Sequence, residues 1–496
     1  MILLDALQAV LAYDVLFAIF IGTVSGIVIG GMPGLTATMA VALLIPITFS
    51  FTPLIGLSIM GGVYAGAMYG GSIPAILLST PGTPAAAATA LEGYPLTKQG
   101  KGGMALKVSV ISSFVGGTFS VIVLLAIAPI LSEFALKFGP PEYFLLAIMG
   151  LTGVISVASG GLTRGIISGL IGLIVALIGT DPMTGMVRYD FGIIDLYEGV
   201  SFMPALIGMF SITQMLALTG EKSIASGDID ITAIKREKMP KGMWPFITLG
   251  TGTGTIVGII PGEGATIAAF MSYNMAKAKS KVKHLFGKGN PEGIAAAEAG
   301  NNACVGGSLV PLLTLGVPGN TVSAALMGGL MIQGLIPGPE LFTTHAVITY
   351  GFILSLFIAN IIFLVVGLFF APYFAKISQI PTSILVAAIS VFAIVGSYSM
   401  NNSLFDVWLM LIFAFAGYFL NKLNFSLSAI ILGMILGPIA ENGFTQALTI
   451  SQGDGSIFFA SVVAKILWVI IIALLIQPLF VHFKDKRERA KALKNE

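Results

Sequence analysis

Runs of about 20 apolar residues recur along the chain, as at 108–131, 348–370 and 457–480, each long enough to cross a hydrocarbon core about 30 Å thick. Polar positions gather in short segments between these runs. The short alternating strands of a membrane β-barrel are missing. The pattern predicts an all-α, polytopic integral membrane protein, with an added span near 407–420.

Composition supports this reading, because charged residues make up only 10% and hydrophobic ones 56%. A soluble domain carries about 25% charged residues to solvate its surface, so a soluble enzyme is excluded. The position of the charges gives the chain a direction. Most of the 25 Lys and Arg residues fall at 98–107, 222–241, 277–288 and 484–494, and none precedes Lys98. Basic clusters beside apolar spans mark the cytoplasmic side. The start, 1–21, lacks a basic n-region and reads as an interfacial segment, not a cleaved signal. The single cysteine, Cys304, excludes an intrachain disulfide or a Cys cluster.

An internal repeat runs through the sequence. Gly22, Gly26, Gly30, Pro33, Gly34, Ala37 and Thr38 recur at one constant offset as Gly250, Gly254, Gly258, Pro261, Gly262, Ala265 and Thr266. Further on, Gly70-Gly71-Ser72 matches Gly306-Gly307-Ser308, and Pro81-Gly82-Thr83 matches Pro318-Gly319-Asn320. Equivalent loops of the two halves differ in basic content. The loop at 50–53 is uncharged where its counterpart at 277–288 is Lys-rich; 98–107 is basic where 333–344 is not. The halves are therefore expected to insert with opposite topology, as in secondary transporters built from inverted repeats. Parity then makes 242–276 a re-entrant hairpin entered from the cytoplasm, and 14–50 its counterpart from outside, with about 11 crossings besides. The alternative, one long kinked span for each hairpin, puts 277–288 outside. The expected units are a first repeat at 1–220, a basic cytoplasmic linker at 221–241, a second repeat at 242–483 and a cytoplasmic tail at 484–496.

Four Pro/Gly interruptions, in matched pairs, lie inside apolar segments: 31–36, 80–84, 261–264 and 316–320. A break frees backbone groups that lipid cannot satisfy, so it survives only where protein or a wet cavity supplies partners. Paired breaks point to a transporter binding site. Exposed N–H groups and the positive end of the following half-helix suit an anion. The candidate substrate or ion contacts are Pro33, Gly34, Thr36 and Thr38 in the first break and Thr80, Pro81, Gly82 and Thr83 in the second. In the third they are Gly262, Glu263 and Gly264, and in the fourth Pro318, Gly319 and Asn320. Asn301, Asn302, Ser72 and Ser308 are further polar candidates. Hydroxyls of Thr36, Thr38, Thr80 and Thr83 are candidates for Na⁺ coordination; no other metal site is expected. The spacing Gly22-Gly26-Gly30 also serves helix packing. Glu92, Glu298, Asp181 and Glu441 lie near span ends and read as interfacial.

No phosphate-binding loop, zinc motif or intramembrane catalytic set occurs, so no enzyme and no nucleic-acid partner is expected. Driving energy must come from an ion gradient or another subunit. A negative cell interior opposes anion entry by roughly 2.3 kcal/mol per charge at about 100 mV. Import of a multivalent anion thus calls for co-transported cations.

At Gly30-Gly31-Met32-Pro33-Gly34-Leu35-Thr36-Ala37-Thr38, Tyr69-Gly70-Gly71-Ser72-Ile73 and Ser79-Thr80-Pro81-Gly82-Thr83-Pro84, the sequence resembles the large membrane subunit of the tripartite tricarboxylate transporters (TctA type). The likeness continues through Gly93-Tyr94-Pro95, Thr180-Asp181-Pro182-Met183-Thr184-Gly185, Glu298-Ala299-Gly300-Asn301-Asn302-Ala303 and Pro311-Leu312-Leu313-Thr314-Leu315-Gly316-Val317-Pro318-Gly319. Ser79 stands where family members often have Asn, and Asn320-Thr321 where small residues are common. The resemblance implies a small membrane subunit of about four helices, a periplasmic solute-binding protein, a carboxylate substrate and coupling to Na⁺ or H⁺ across a bacterial inner membrane. An elevator-like movement of the hairpins is expected, and hairpins held fixed in both outward- and inward-facing states would remove it. A channel is the alternative, although no filter run or charged ring is present.

Overall fold

The structure, a computed structural model, describes residues 2–156, 158, 160–218, 237–262, 264–376 and 380–476. Most of the linker, the basic tail and Glu263 lie outside the described residues. The chain begins with α1 (Ile2–Val10), α2 (Tyr13–Gly30), α3 (Ala37–Thr48), α4 (Pro53–Gly70), α5 (Ser72–Leu78), α6 (Ala86–Lys98), α7 (Gly102–Ala135), α8 (Pro140–Ser156) and α9 (Leu162–Ala176). A small antiparallel hairpin, β1 (Gly179–Thr180) with β2 (Val187–Arg188), leads to α10 (Phe202–Leu206), a π-helical turn (Ile207–Ile212) and α11 (Thr213–Leu218). The remainder is α12 (Trp244–Ile259), α13 (Ala265–Lys279), α14 (Pro291–Leu315), α15 (Thr321–Ile332), α16 (Glu340–Thr343), α17 (Ala346–Ala375), α18 (Thr382–Asn401), α19 (Leu404–Lys422) and α20 (Leu427–Ile450). A last helix covers Val462–Ile476.

Among the described residues, seven helices are long and apolar enough to cross a membrane. They include the expected runs in α7 and α17, and α19 supplies the added span. The run at 457–480 is divided: a 3₁₀ turn, Gly455–Phe459, precedes the last helix, and Ser461 Oγ accepts from Ala464 N–H at 2.9 Å to begin it. The segment 1–21 is divided as well, between the short α1 and the first half of α2. Large apolar side chains such as Phe369, Phe370, Phe415 and Phe419 stand exposed on the outer helices, as a lipid-facing surface requires.

The interior is built by glycine stripes. Gly22, Gly26 and Gly30 of α2 lie against the backbone of Ile59, Val63 and Ala67 in α4. Gly250, Gly254 and Gly258 of α12 lie in the same way against Ala296, Gly300 and Cys304 in α14. A methyl group at any of these positions meets main chain, so the small residues are there for close helix approach. α14 also packs on α7, α13 and α6, and every residue from Gly293 to Thr314 is buried by protein.

Candidate functional site: a cavity where four helix breaks meet

All four predicted breaks are present, and each pair shares its local geometry. In the first and third, Gly34 and Gly262 take left-handed φ values of 86° and 90°, a region that a residue with a Cβ rarely enters. In the second and fourth, the preceding helix ends on a left-handed residue, Ser79 at φ 60° and Gly316 at φ 68°. The next N–H then reaches back to a proline carbonyl, Thr80 to Pro74 at 3.3 Å and Val317 to Pro311 at 3.2 Å, which closes the helix end. Asn is the residue after Gly best tolerated in this conformation. The role of Ser79 here therefore concerns helix termination. Gly82 packs on the backbone of Gly30 and Gly71, and Gly319 on Gly258 and Ser308, so each break seats against the hairpin of its own half.

The four breaks line one cavity of about 480 Å³. Thr36, Ala37 and Thr38 come from the first, Thr83, Pro84 and Ala85 from the second. Gly262, Gly264, Ala265 and Thr266 come from the third, and Asn320, Thr321 and Val322 from the fourth. Helices α3, α6, α13 and α15 all begin at this wall, and Ser426 and Ser428 bring the start of α20 to it. A helix start carries N–H groups with no acceptor in the helix and a partial positive charge. Among the described residues that line it, none is Lys, Arg, Asp or Glu. The helix starts therefore give this wall electropositive character through their backbone, which suits an anion site.

Side-chain hydrogen bonds fix part of this wall. Thr36 Oγ1 caps α3 by accepting from Met39 N–H at 3.2 Å, and Thr38 Oγ1 meets Thr321 Oγ1 at 2.8 Å. Asn320 caps α15, accepting from Ser323 N–H at 2.9 Å while its own N–H donates to Ser323 Oγ at 2.8 Å. The Asn320 amide donates to Tyr64 Oη at 2.9 Å; the Tyr64 hydroxyl meets Ser308 Oγ at 3.0 Å, and Ser308 donates to the Val305 carbonyl at 3.0 Å. In the second break, by contrast, the buried Oγ1 atoms of Thr80 and Thr83 have no hydrogen-bond partner among the described residues.

The predicted site residues therefore divide. Thr36, Thr38, Thr83, Gly262, Gly264 and Asn320 line the cavity, whereas Pro33, Gly34, Thr80, Pro81, Gly82, Pro318 and Gly319 shape the breaks from behind it. Ser308 reaches it through Tyr64. Asn301 and Asn302 lie deeper on α14, donating to the Met68 and Glu298 carbonyls at 3.0 and 3.1 Å, and Ser72 bonds Ser109 at 3.1 Å. Sequence reasoning missed Tyr64, Phe210 and the Ser426/Ser428 pair, which belong to no repeated block. Phe210 sits in the π turn, and such turns gather at functional sites.

Two of the carboxylates expected at span ends require correction. Glu298 is wholly buried in α14, accepting from Thr89 Oγ1 and from Ser113 Oγ, the latter at 2.9 Å. Glu92 is equally buried, its oxygens accepting from the N–H groups of Gly287, Gly289 and Asn290 and from Tyr273 Oη. It ties α6 to the loop before α14. Asp181 lies in the loop between β1 and β2, and Glu441 within α20. They flank Arg188, with a bidentate Arg188–Glu441 pair at 2.5 and 3.1 Å and Asp181 at 3.2 Å. The N–H groups of Thr184 and Met183, and then Arg188, hold the Asp181 carboxyl below its ordinary value.

The model of the tripartite tricarboxylate transporter TctA family matches residues 16–432. An Agrobacterium vitis protein described as an uncharacterized 52.8 kDa protein in the TAR-I ttuC' 3' region is 34% identical over 473 residues, covering 95% of this chain and 94% of its own. A second Agrobacterium vitis protein, from the TAR-II ttuC' 3' region, is 35% identical over 236 residues, covering 48% of this chain and 98% of its own. No solved structure matches. With a match that spans the hairpins, all four breaks and the cavity they line, the chain belongs to the tripartite tricarboxylate transporter TctA family.

Proposed function

We propose that this chain is the translocation-pathway subunit of a binding-protein-dependent secondary transporter that imports di- or tricarboxylates by symport with Na⁺ or H⁺. The observation that carries this reading is the convergence of four helix breaks, and of the helix starts that follow them, on one cavity. Helix starts supply positive potential there, and a dehydrated carboxylate group has need of N–H and hydroxyl donors. The Thr83 hydroxyl, buried in the wall with no partner among the described residues, suits such a group.

The two matched sets of breaks support inverted repeats, the first at 1–220 and the second at 242–483, each with a re-entrant hairpin. The positive-inside rule supports a multi-pass topology in a bacterial inner membrane with its basic linker and tail in the cytoplasm. Family membership supports a small membrane subunit and a periplasmic binding protein as partners.

The test is reconstitution of the chain with those two partners and uptake of a panel of labelled di- and tricarboxylates, with and without Na⁺ and pH gradients. Saturable uptake that needs both the binding protein and a gradient is the expected result. No carboxylate uptake by a folded complex under any gradient would send the function to a channel or to another solute.

A further inference from the structure

Away from the cavity, the structure holds one more arrangement that packing does not explain. Glu298 is 0% exposed, eight residues into α14, where every residue from Gly293 to Thr314 is buried. Hydroxyls converge on it from three other elements. Thr89 of α6 and Ser113 of α7 donate to its two oxygens, and Ser72 of α5 and Ser109 of α7, bonded to each other at 3.1 Å, lie beside them. No cation accompanies it, for the ion pairs among the described residues are those of Arg188. Of the ionisable groups on the helices packed against α14, Tyr69 of α4, stacked on Phe363, lies near the carboxylate without bonding it. Glu92 and Tyr273 bond each other, Tyr64 bonds Ser308 and Asn320, Lys277 and Lys279 are exposed, and Lys107 forms no ion pair with it. An isolated ionised carboxylate in an apolar interior costs several kcal/mol, and ionisable groups at membrane depth mark ion pathways.

We infer that Glu298 is a proton-binding site, loaded and emptied as the neighbouring cavity takes up and releases its anion; this rests on the symport reading above. Hydroxyls are the side chains that serve both states. They donate to the carboxylate, and once it has become a carboxylic acid they rotate and accept its proton, with no heavy atom displaced. Ser72 donates its own proton to the Tyr69 carbonyl at 2.6 Å, which leaves its oxygen lone pairs to accept. Direct Thr89 and Ser113 contacts with both oxygens favour a proton over Na⁺, which has to be inserted between carboxylate and hydroxyls.

The connection to the cavity is short. Ser72 follows Gly71, whose carbonyl accepts from Gly82 N–H in the second break at 3.0 Å. Thr89 lies one turn into α6, the helix whose start, Thr83 to Ala85, lines the cavity. Both hydroxyls that sense the charge of Glu298 therefore belong to the elements that hold the second break.

The experiment uses the reconstituted complex, with citrate as the first probe. Wild-type uptake should accumulate under an inward pH gradient without Na⁺, and its exchange rate should vary with pH. E298Q should abolish gradient-driven accumulation and make the remaining exchange independent of pH. Infrared spectra of the purified wild-type protein should show a buried carboxylic acid band that E298Q removes. S113A, which takes away one donor to the charged form, should shift the titration of that band to higher pH. Persistent pH-driven accumulation by E298Q, or no such band at any pH at which the wild type stays folded, would overturn the assignment. So would accumulation driven by Na⁺ alone with no pH response, which leaves symport standing and moves the ion elsewhere. No accumulation under either gradient would remove the symport reading and this site with it.

Discussion

The second and fourth breaks use the same backbone device and finish it differently. Both follow a left-handed helix end, both pass through Pro-Gly, and both seat that Gly against the paired hairpin. The fourth then ends in Asn320, whose side chain caps α15 and reaches Tyr64, so its polar atoms are engaged within the protein. The second ends in Thr83, whose hydroxyl is buried without a partner among the described residues. A buried polar atom without a partner costs about 1–3 kcal/mol. One half of the cavity thus engages its polar side chain within the protein, and the other presents a hydroxyl that can bond a ligand.

Five substitutions break or sharpen that contrast. The largest effect should come from G262A. It forces a Cβ into a left-handed position and onto the Gly153 backbone, and should lower the stability of the purified complex by at least about 3 kcal/mol. G264A, with nothing within 4 Å of its added methyl, should stay within about 0.5 kcal/mol in the same thermal unfolding experiment. Next, N320A removes a cap and the Tyr64 bond and should cost about 2 kcal/mol. T83V inverts the pattern. Stability should hold or rise slightly, while KM for the transported carboxylate rises about 5-fold, the worth of one hydrogen bond near 1 kcal/mol. An unchanged KM would show that the Thr83 hydroxyl does not bond the substrate. The smallest effect is at the Asp181 turn. Its carboxyl lies below the ordinary value in the folded state, so its contribution is present above the unfolded value near 3.8 and is lost as pH falls through the folded one. Amide exchange at Thr184 should accelerate only in that acid range, and D181N should remove the pH dependence.

The sequence displayed the breaks because proline and glycine inside apolar runs have few other uses, and the constant offset paired them. Their convergence was not legible, since nothing in residues 31–36 says that they face 316–320. Glu298 was misread for a related reason. It sits among alanines and glycines eight residues into α14, where hydropathy falls as it does at a membrane surface. The partners that make its depth tolerable come from α5, α6 and α7, about 200 residues away. A helix shielded by other helices has no need of lipid-like side chains, so hydropathy underestimates how deep it lies. Tyr64 and the serines of 426–428 were hidden because they lie outside the repeat.

The glycine stripes have a mechanical consequence. Where α2 meets α4, and where α12 meets α14, main chain rests on main chain with no side chains between to change rotamer. Such a seam does not slip by small steps, and each pair behaves as a single beam. Any displacement during a transport cycle has to be taken up at joints lined by larger, softer side chains, so these two beams set the scale of the moving parts.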